Sequence, residues 1–257
     1  MPSCPFAHQI LQSKGQKVPK SGAFKNEGIP EDAAMSFYDR LEAGRHLAVE
    51  LVKYKSEDVV VLALPRGGVP VAAPIAIALD APLDLILVRK IGVPFQPEFA
   101  MGAVADGGTP LIVRNEDVIA MAGVSEEQFS AVCQRELAEI ERRRRLYLGG
   151  RTRPEVRGRI AIVVDDGVAT GATTRAALRA VRARHPKKLV LAVPVAPPDT
   201  LESLRVETDE TVCIETHEDF GAIGFFYTDF RQIGDEEVIA ILDRLGADRA
   251  SPAGRNA

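Results

Sequence analysis

The chain contains no tryptophan and only three cysteines, four histidines and four tyrosines. Cys4, Cys133 and Cys213 are odd in number and far apart. They provide neither a disulfide framework nor a Cys-x-x-Cys metal site, and such sparse use fits a reducing cytosol. His8, His46, His185 and His217 are scattered, and no pair has metal-ligand spacing. No apolar run approaches the roughly 20 residues that a membrane helix needs. Met1 to Ile10 lacks a basic segment followed by a long apolar core, so no secretory leader and a cytoplasmic location are expected. Excess positive charge is missing too: 32 basic residues stand against 36 acidic ones, a net charge of −4. No general grip on nucleic acid or membrane follows from that balance.

What is present is ordinary globular composition, 46% hydrophobic and 26% charged, in a chain of 257 residues. Residues 1–30 carry Pro2, Pro5, Pro19 and Pro30 without a sustained apolar period and read as an irregular arm. A single domain is expected over 31–247, then a frayed tail over 248–257. Phe37, Leu41, Ala48, Leu51 and Val52 follow helical spacing from Glu31 onward. Val59–Leu64 is a β-branched run suited to a buried parallel strand, and Pro70 sits where a first helical turn accepts proline. Leu83–Val88 reads as a second strand ending in Arg89-Lys90. Phe99–Ala105 and Pro110–Val113 flank Asp106-Gly107-Gly108 as a hairpin with a glycine turn. Ser125 and Gln128 form a capping box for a helix that carries Phe129, Val132, Cys133, Leu137 and Ile140 on one face. Ile160–Val164, Leu189–Val195 and Thr211–Glu215 are further strands, with helices through Arg184, over Asp199–Leu204 and over Asp235–Leu245.

Strand and helix patterns alternate, so an α/β fold follows, with an open, mostly parallel sheet flanked by helices. Ligands of such sheets sit outside the carboxyl ends of the strands. Three motifs fall on that rim. In Asp165-Asp166-Gly167-Val168-Ala169-Thr170-Gly171-Ala172-Thr173 a strand ends in two carboxylates, and a small-residue loop then opens a helix. Carboxylates accept hydrogen bonds from vicinal hydroxyls, and unpaired N–H groups at a helix start favour an anion. A ligand that is both pentose and phosphate ester suits the pair. The loop is neither a Walker A sequence nor a G-x-G-x-x-G fingerprint. Pro65-Arg66-Gly67-Gly68 comes second: it can wrap backbone N–H groups around an anion and add a guanidinium, or be a plain turn. Arg89-Lys90 comes third, either as solvated cations or as anion contacts.

The segment from Asp165 to Thr173 closely resembles the signature of type I phosphoribosyltransferases, which bind 5-phosphoribosyl 1-pyrophosphate. The resemblance implies that Asp165 and Asp166 hold the ribose hydroxyls, with Mg²⁺ at these acids directly or through ligand and water. It implies that Gly167, Val168, Ala169, Thr170, Gly171, Ala172 and Thr173 hold the 5′-phosphate. Pro65 to Gly68 resembles the pyrophosphate loop, which often includes a non-proline cis peptide, with the tight turn expected at Arg66-Gly67. Arg66, Arg89 and Lys90 then serve catalysis by stabilising departing pyrophosphate. Residues of about 91–150 correspond to a lid hairpin and inserted helix, and about 216–234 to a hood over the strand ends. Phe225, Phe226 and Tyr227 in the hood either stack on a base or close a small satellite core. Phe37-Tyr38-Asp39-Arg40, and Tyr227 with Asp229, Phe230 and Gln232, are similar to a bacterial group whose acceptor is generally unassigned. Hypoxanthine-guanine enzymes carry Asp where this chain has Ala169, so adenine or another nitrogen acceptor fits better.

The implied activity is transfer of a phosphoribosyl group to a nitrogen acceptor with release of pyrophosphate, by a protein whose partners are small molecules and for which a homodimer is a candidate assembly. The alternatives are a non-catalytic module that binds the donor or a nucleotide, and transfer or hydrolysis on a phosphorylated sugar. The Arg142–Arg145 run shares its helix with Glu136, Glu139 and Glu141 and reads as a solvated or intersubunit face rather than a nucleic-acid contact.

Overall fold

A computed structural model of the chain describes residues 36–106 and 110–250, without the side chains of Glu98 and of residues 248–250. The arm over 1–30, the helix start at Glu31, Cys4, His8, the Gly107-Gly108 turn and the tail from residue 251 lie outside the described residues.

Helix α1 spans Arg40–Leu51, strand β1 Val59–Ala63, α2 Gly68–Ala78 and β2 Leu83–Leu85. β3 (Val88–Val93), β4 (Gln96–Ala105) and β5 (Leu111–Arg114) follow, then α3 (Glu116–Met121) and α4 (Glu126–Leu148). The chain continues through β6 (Ile160–Val164), α5 (Ala172–Arg182), β7 (Lys188–Ala196), α6 (Pro198–Arg205), β8 (Glu210–Thr216) and α7 (Asp235–Ala250). Five strands form a parallel sheet in the order β2-β1-β6-β7-β8, and β3-β4-β5 form a separate antiparallel sheet.

Both faces of the parallel sheet are covered, which is why its strands read as unbroken apolar runs. Val59, Val61, Ala63, Ile160, Ile162 and Val164 enter one core with residues of α1, α2, α4 and α7. Val60, Leu62, Ala161 and Val163 point the other way and meet α5 and α6. The carboxyl ends of β1 and β6 lie side by side, Ala63 opposite Val164, so the loops that leave them share one rim.

Several boundaries depart from the sequence reading: α5 ends at Arg182 and not at Arg184, β4 begins at Gln96 and not at Phe99, and α3 has no counterpart in it; three further departures shape the frame of the site. Helix α1 starts at Arg40, capped by Asp39, whose Oδ1 accepts from the Glu42 N–H at 2.8 Å. Phe37 precedes the helix and bridges to Tyr227 in the hood. The run from Leu83 to Val88 is two elements. The Ile86 N–H still bonds the Ala63 carbonyl, whereas the Leu87 carbonyl accepts from Asp106, so the chain passes from one sheet to the other between them. Arg89 and Lys90 therefore lie inside β3 and do not end a strand of the main sheet. Helix α7 extends to Ala250, into the span expected to fray. The capping box of Ser125 and Gln128 is present as read, and α4 stops at Gly149, whose φ is 52°.

Candidate functional site

β6 delivers Asp165 and Asp166 to the rim, and β1 delivers Pro65 to Gly68 beside them. The Leu64 N–H donates to the Val164 carbonyl at 2.9 Å, which extends the β1–β6 pairing to the base of the site. A Cβ at Gly67 would fall 1.9 Å from Asp166 Oδ2, and one at Gly68 would fall 2.7 Å from the Val164 oxygen. Only glycines let the two loops approach so closely. The cis peptide of this loop joins Pro65 to Arg66, one bond before the turn expected at Arg66-Gly67. The Gly68 N–H is used by the Leu64 carbonyl; among the described residues those of Arg66 and Gly67 have no protein acceptor. The Arg66 guanidinium is half-exposed, 3.6 Å from Asp235, which also accepts from the Tyr147 hydroxyl at 2.6 Å.

Each acid keeps one oxygen engaged. Asp165 Oδ1 accepts from the Asp166 N–H at 2.9 Å, and Asp166 Oδ2 accepts from Arg40 Nε at 2.8 Å. Burial pushes the Asp165 carboxyl well above the usual carboxylate range, and the neighbouring Asp166 charge adds to the rise. Burial raises Asp166 as well, with Arg40 opposing it. Arg40 is the site residue that sequence reasoning missed. It is buried, donates from Nη1 to the Arg231 carbonyl at 2.9 Å, and lies 3.8 Å over the centre of the Phe230 ring. Its sole sequence signal was the Phe37–Arg40 run, read only as a family likeness.

The loop from Gly167 to Thr173 is divided. Val168 is buried and its N–H bonds the Val195 carbonyl at 3.0 Å, so the expectation that it contacts phosphate is corrected: its donor serves β7. The Ala169 carbonyl accepts from the Thr200 hydroxyl. Gly171 caps α5 with φ 74°, a conformation that glycine adopts freely. The N–H groups of Ala169, Thr170 and Gly171 have no protein acceptor among the described residues, and the first turn of α5 leaves further donors open at Ala172 and Thr173. Thr170, Ala172 and Thr173 are exposed there.

The hood packs against the same loop. A Cβ at Gly167 would meet Ile223 Cγ2 at 2.7 Å, and the Tyr227 hydroxyl donates to the Asp166 carbonyl at 2.6 Å. Tyr227 and Phe226 are buried with Phe37, Val195 and Phe220. Of the two readings left open for these rings, closing a satellite core is the one their burial supports, with Phe37 bridging to Tyr227. Phe225 is 67% exposed and alone of the three presents a largely open ring, one edge of it against Gly221. A cavity of about 350 Å³ opens between the Arg66-Gly67 loop, Arg40 and residues 230–233, lined by Arg40, Arg66, Gly67, Phe230, Gln232 and Ile233; neither acid nor the loop from Gly167 to Thr173 lines it. His217 pairs with Glu215 at 3.0 Å and lies against the Phe226 ring.

The structure gives Arg89 a carboxylate partner away from the acid pair: Glu136 of α4, reached from both Nε and Nη2 at 2.9 Å. Each arginine of the run is paired within its own helix, two to each glutamate. Arg142 and Arg143 hold Glu139, Arg144 and Arg145 hold Glu141, and these bonds bring both carboxyls down to about 2. Among the described residues no group of three or more His, Cys, Asp or Glu side chains is arranged to hold a metal ion. No described helix is long and apolar enough to cross a membrane.

A family model described as "Phosphoribosyl transferase domain" matches residues 36–229. Two proteins of Mycobacterium tuberculosis strains, each bearing the name "Putative phosphoribosyl transferase", are 46% identical over 214 residues. That match takes in 83% of this chain, which spans 48% of the relatives' length. The crystal structure of the protein TT1426 from Thermus thermophilus is 40% identical, with a TM-score of 0.69, over 82% of this chain and 99% of that one.

Proposed function

The chain belongs to the phosphoribosyl transferase domain family, and from that premise we propose that it transfers a phosphoribosyl group from 5-phosphoribosyl 1-pyrophosphate to a nitrogen acceptor. The carrying observation is the contact of Gly67 and Gly68 with Asp166 and Asp165. It supports reading the Pro65–Gly68 loop and the acid pair as adjoining parts of one ligand site.

In this reading Asp165 and Asp166 accept hydrogen bonds from the two ribose hydroxyls. The N–H groups of Ala169 to Thr173, with the threonine hydroxyls, receive the 5′-phosphate. Arg66 and the free N–H groups of Arg66 and Gly67 hold the pyrophosphate. The acceptor nitrogen attacks the anomeric carbon, the bond from that carbon to the pyrophosphate oxygen breaks, and the leaving group takes the electron pair. Fixed donors at the pyrophosphate stabilise the charge that develops there. Arg89 joins them only by leaving Glu136, and Lys90 neighbours it on β3. The antiparallel sheet of β3 to β5 is the lid that keeps water from the reacting carbon. Phe225 is the ring left to stack on an acceptor base.

Two carboxylate oxygens, one on each aspartate, have no protein hydrogen bond among the described residues. That donor set fits Mg²⁺ when the substrate supplies most of the remaining oxygens. Held at these two oxygens, Mg²⁺ would supply positive charge to offset that of the pyrophosphate.

A panel of purine and pyrimidine bases, incubated with the donor, Mg²⁺ and the protein, tests the reading through pyrophosphate release. Release with at least one base, abolished in Asp165→Asn, is expected. Tight donor binding without release across the panel would assign the chain to the non-catalytic module instead.

A further inference from the structure

We propose that Arg40 is a positioning residue of the acid pair, holding the Asp166 carboxylate in its ligand-facing orientation from a frame built by the hood. The inference rests on the reading that this pair grips the ribose.

The geometry of the guanidinium carries it. Nε is bonded to Asp166 Oδ2 and Nη1 to the Arg231 carbonyl, so the planar group is fixed from two directions. The Phe230 ring, 3.8 Å away, fixes it from a third. A buried guanidinium with both edges tied has little freedom left, and the carboxylate it holds shares that rigidity. Asp166 is also tied through its backbone, where its carbonyl accepts from Tyr227. Arg40, Tyr227, Phe230 and Arg231 thus form one unit closed by the Phe37–Tyr227 bridge. The bond to Oδ2 leaves Oδ1 of Asp166 for a ligand, whereas an untethered carboxylate would have to be ordered by the ligand itself. Arg40 also lines the 350 Å³ cavity together with Arg66 and Gly67. It therefore acts at the junction of acid pair, pyrophosphate loop and hood.

A double-mutant cycle on donor binding tests this. The probe is 5-phosphoribosyl 1-pyrophosphate with Mg²⁺, titrated calorimetrically into wild type, Arg40→Ala, Asp166→Ala and the double variant. Arg40→Ala is expected to weaken binding about tenfold, the scale of one charge-assisted hydrogen bond. In the Asp166→Ala background, which has no oxygen for Arg40 to hold, the same change should add no further loss, because Arg40 acts through that carboxylate. Arg40→Lys keeps the charge but cannot hold Asp166 and the Arg231 carbonyl together, so its loss falls between. Independent, additive losses, or wild-type affinity in Arg40→Ala, overturn the inference. Wild-type affinity in both Asp165→Asn and Asp166→Ala overturns instead the reading of the site. Should Arg40→Ala fail to fold, Arg40→Lys and Phe230→Leu enter the same cycle, with the same two outcomes deciding.

Discussion

Gly67 lies so close to the Asp166 carboxylate that a methyl group on it would stand 1.9 Å from Oδ2 and 2.5 Å from Cγ. Its backbone is ordinary helical, φ −62° and ψ −35°, so space and not conformation demands glycine there. Gly67→Ala must push the carboxylate aside and strain its bond to Arg40. Overpacking of this kind costs about 1–3 kcal/mol. Donor affinity should fall at least about tenfold if the carboxylate no longer faces the ligand. Gly150→Ala, with no atom within 4 Å of the added carbon, is the matched control and should change neither quantity. Urea unfolding and donor titration of the two variants check this together.

The acid pair opposes stability. Burial holds the Asp165 carboxyl above its ordinary value, with Asp166 adding to the effect. The folded state therefore binds the proton more tightly than the unfolded chain does, and wild-type stability rises as pH falls through the raised value toward the unfolded one near about 4. Asp165→Asn removes the ionisation yet keeps an oxygen for the Asp166 N–H. The variant should be more stable than wild type near about pH 7, with the advantage shrinking by about pH 4.5, while donor binding is lost. Urea midpoints at the two pH values test the sign; a variant less stable at neutral pH would refute it.

Much of this site was legible beforehand because its parts are local. The strands β1, β6 and β7 are apolar runs with charged or loop-forming ends, and the two glycines and two acids sit immediately after such runs. What escaped was decided by distant partners. Arg40 meets Asp166 across 126 positions, and nothing near Arg40 distinguishes it from a solvated charge at a helix start. The direction of the Val168 N–H depends on Val195 in the neighbouring strand. The choice between stacking and a satellite core stayed open for Tyr227 because Phe37, which buries it, lies at the opposite end of the domain. The handover between sheets at Ile86–Leu87 is invisible in a uniformly apolar run, since both partners want the same side chains.

The Tyr227 hydroxyl separates the packing role of the hood from its polar one. The ring is buried against Phe37 and Phe230 and stays so in Tyr227→Phe. Only the bond to the Asp166 carbonyl is lost. The expected cost is about 0.5–1.5 kcal/mol in urea unfolding. Donor affinity should fall less than in Gly67→Ala, since the carboxylate keeps its bond to Arg40.

Arg89 and Glu136 tie the antiparallel sheet to α4. Glu136 is buried, with a side chain 10% exposed, whereas Arg89 is 35% exposed, so the pair lies between a surface bridge and a core one. Glu136→Gln keeps the shape and removes the charge, at a cost of about 1 kcal/mol after allowance for solvent on the arginine side. The loss should be local: amide exchange in β3 should quicken while β1 and β6 keep their protection. The same variant tests Arg89 as an anion contact. With its carboxylate competitor gone, Arg89 becomes free to turn toward pyrophosphate, so donor affinity should rise a few-fold, whereas Arg89→Met should lower it. If Glu136→Gln binds the donor more weakly and Arg89→Met binds it as wild type does, Arg89 is a structural tie between the antiparallel sheet and α4 and has no part in holding the leaving group.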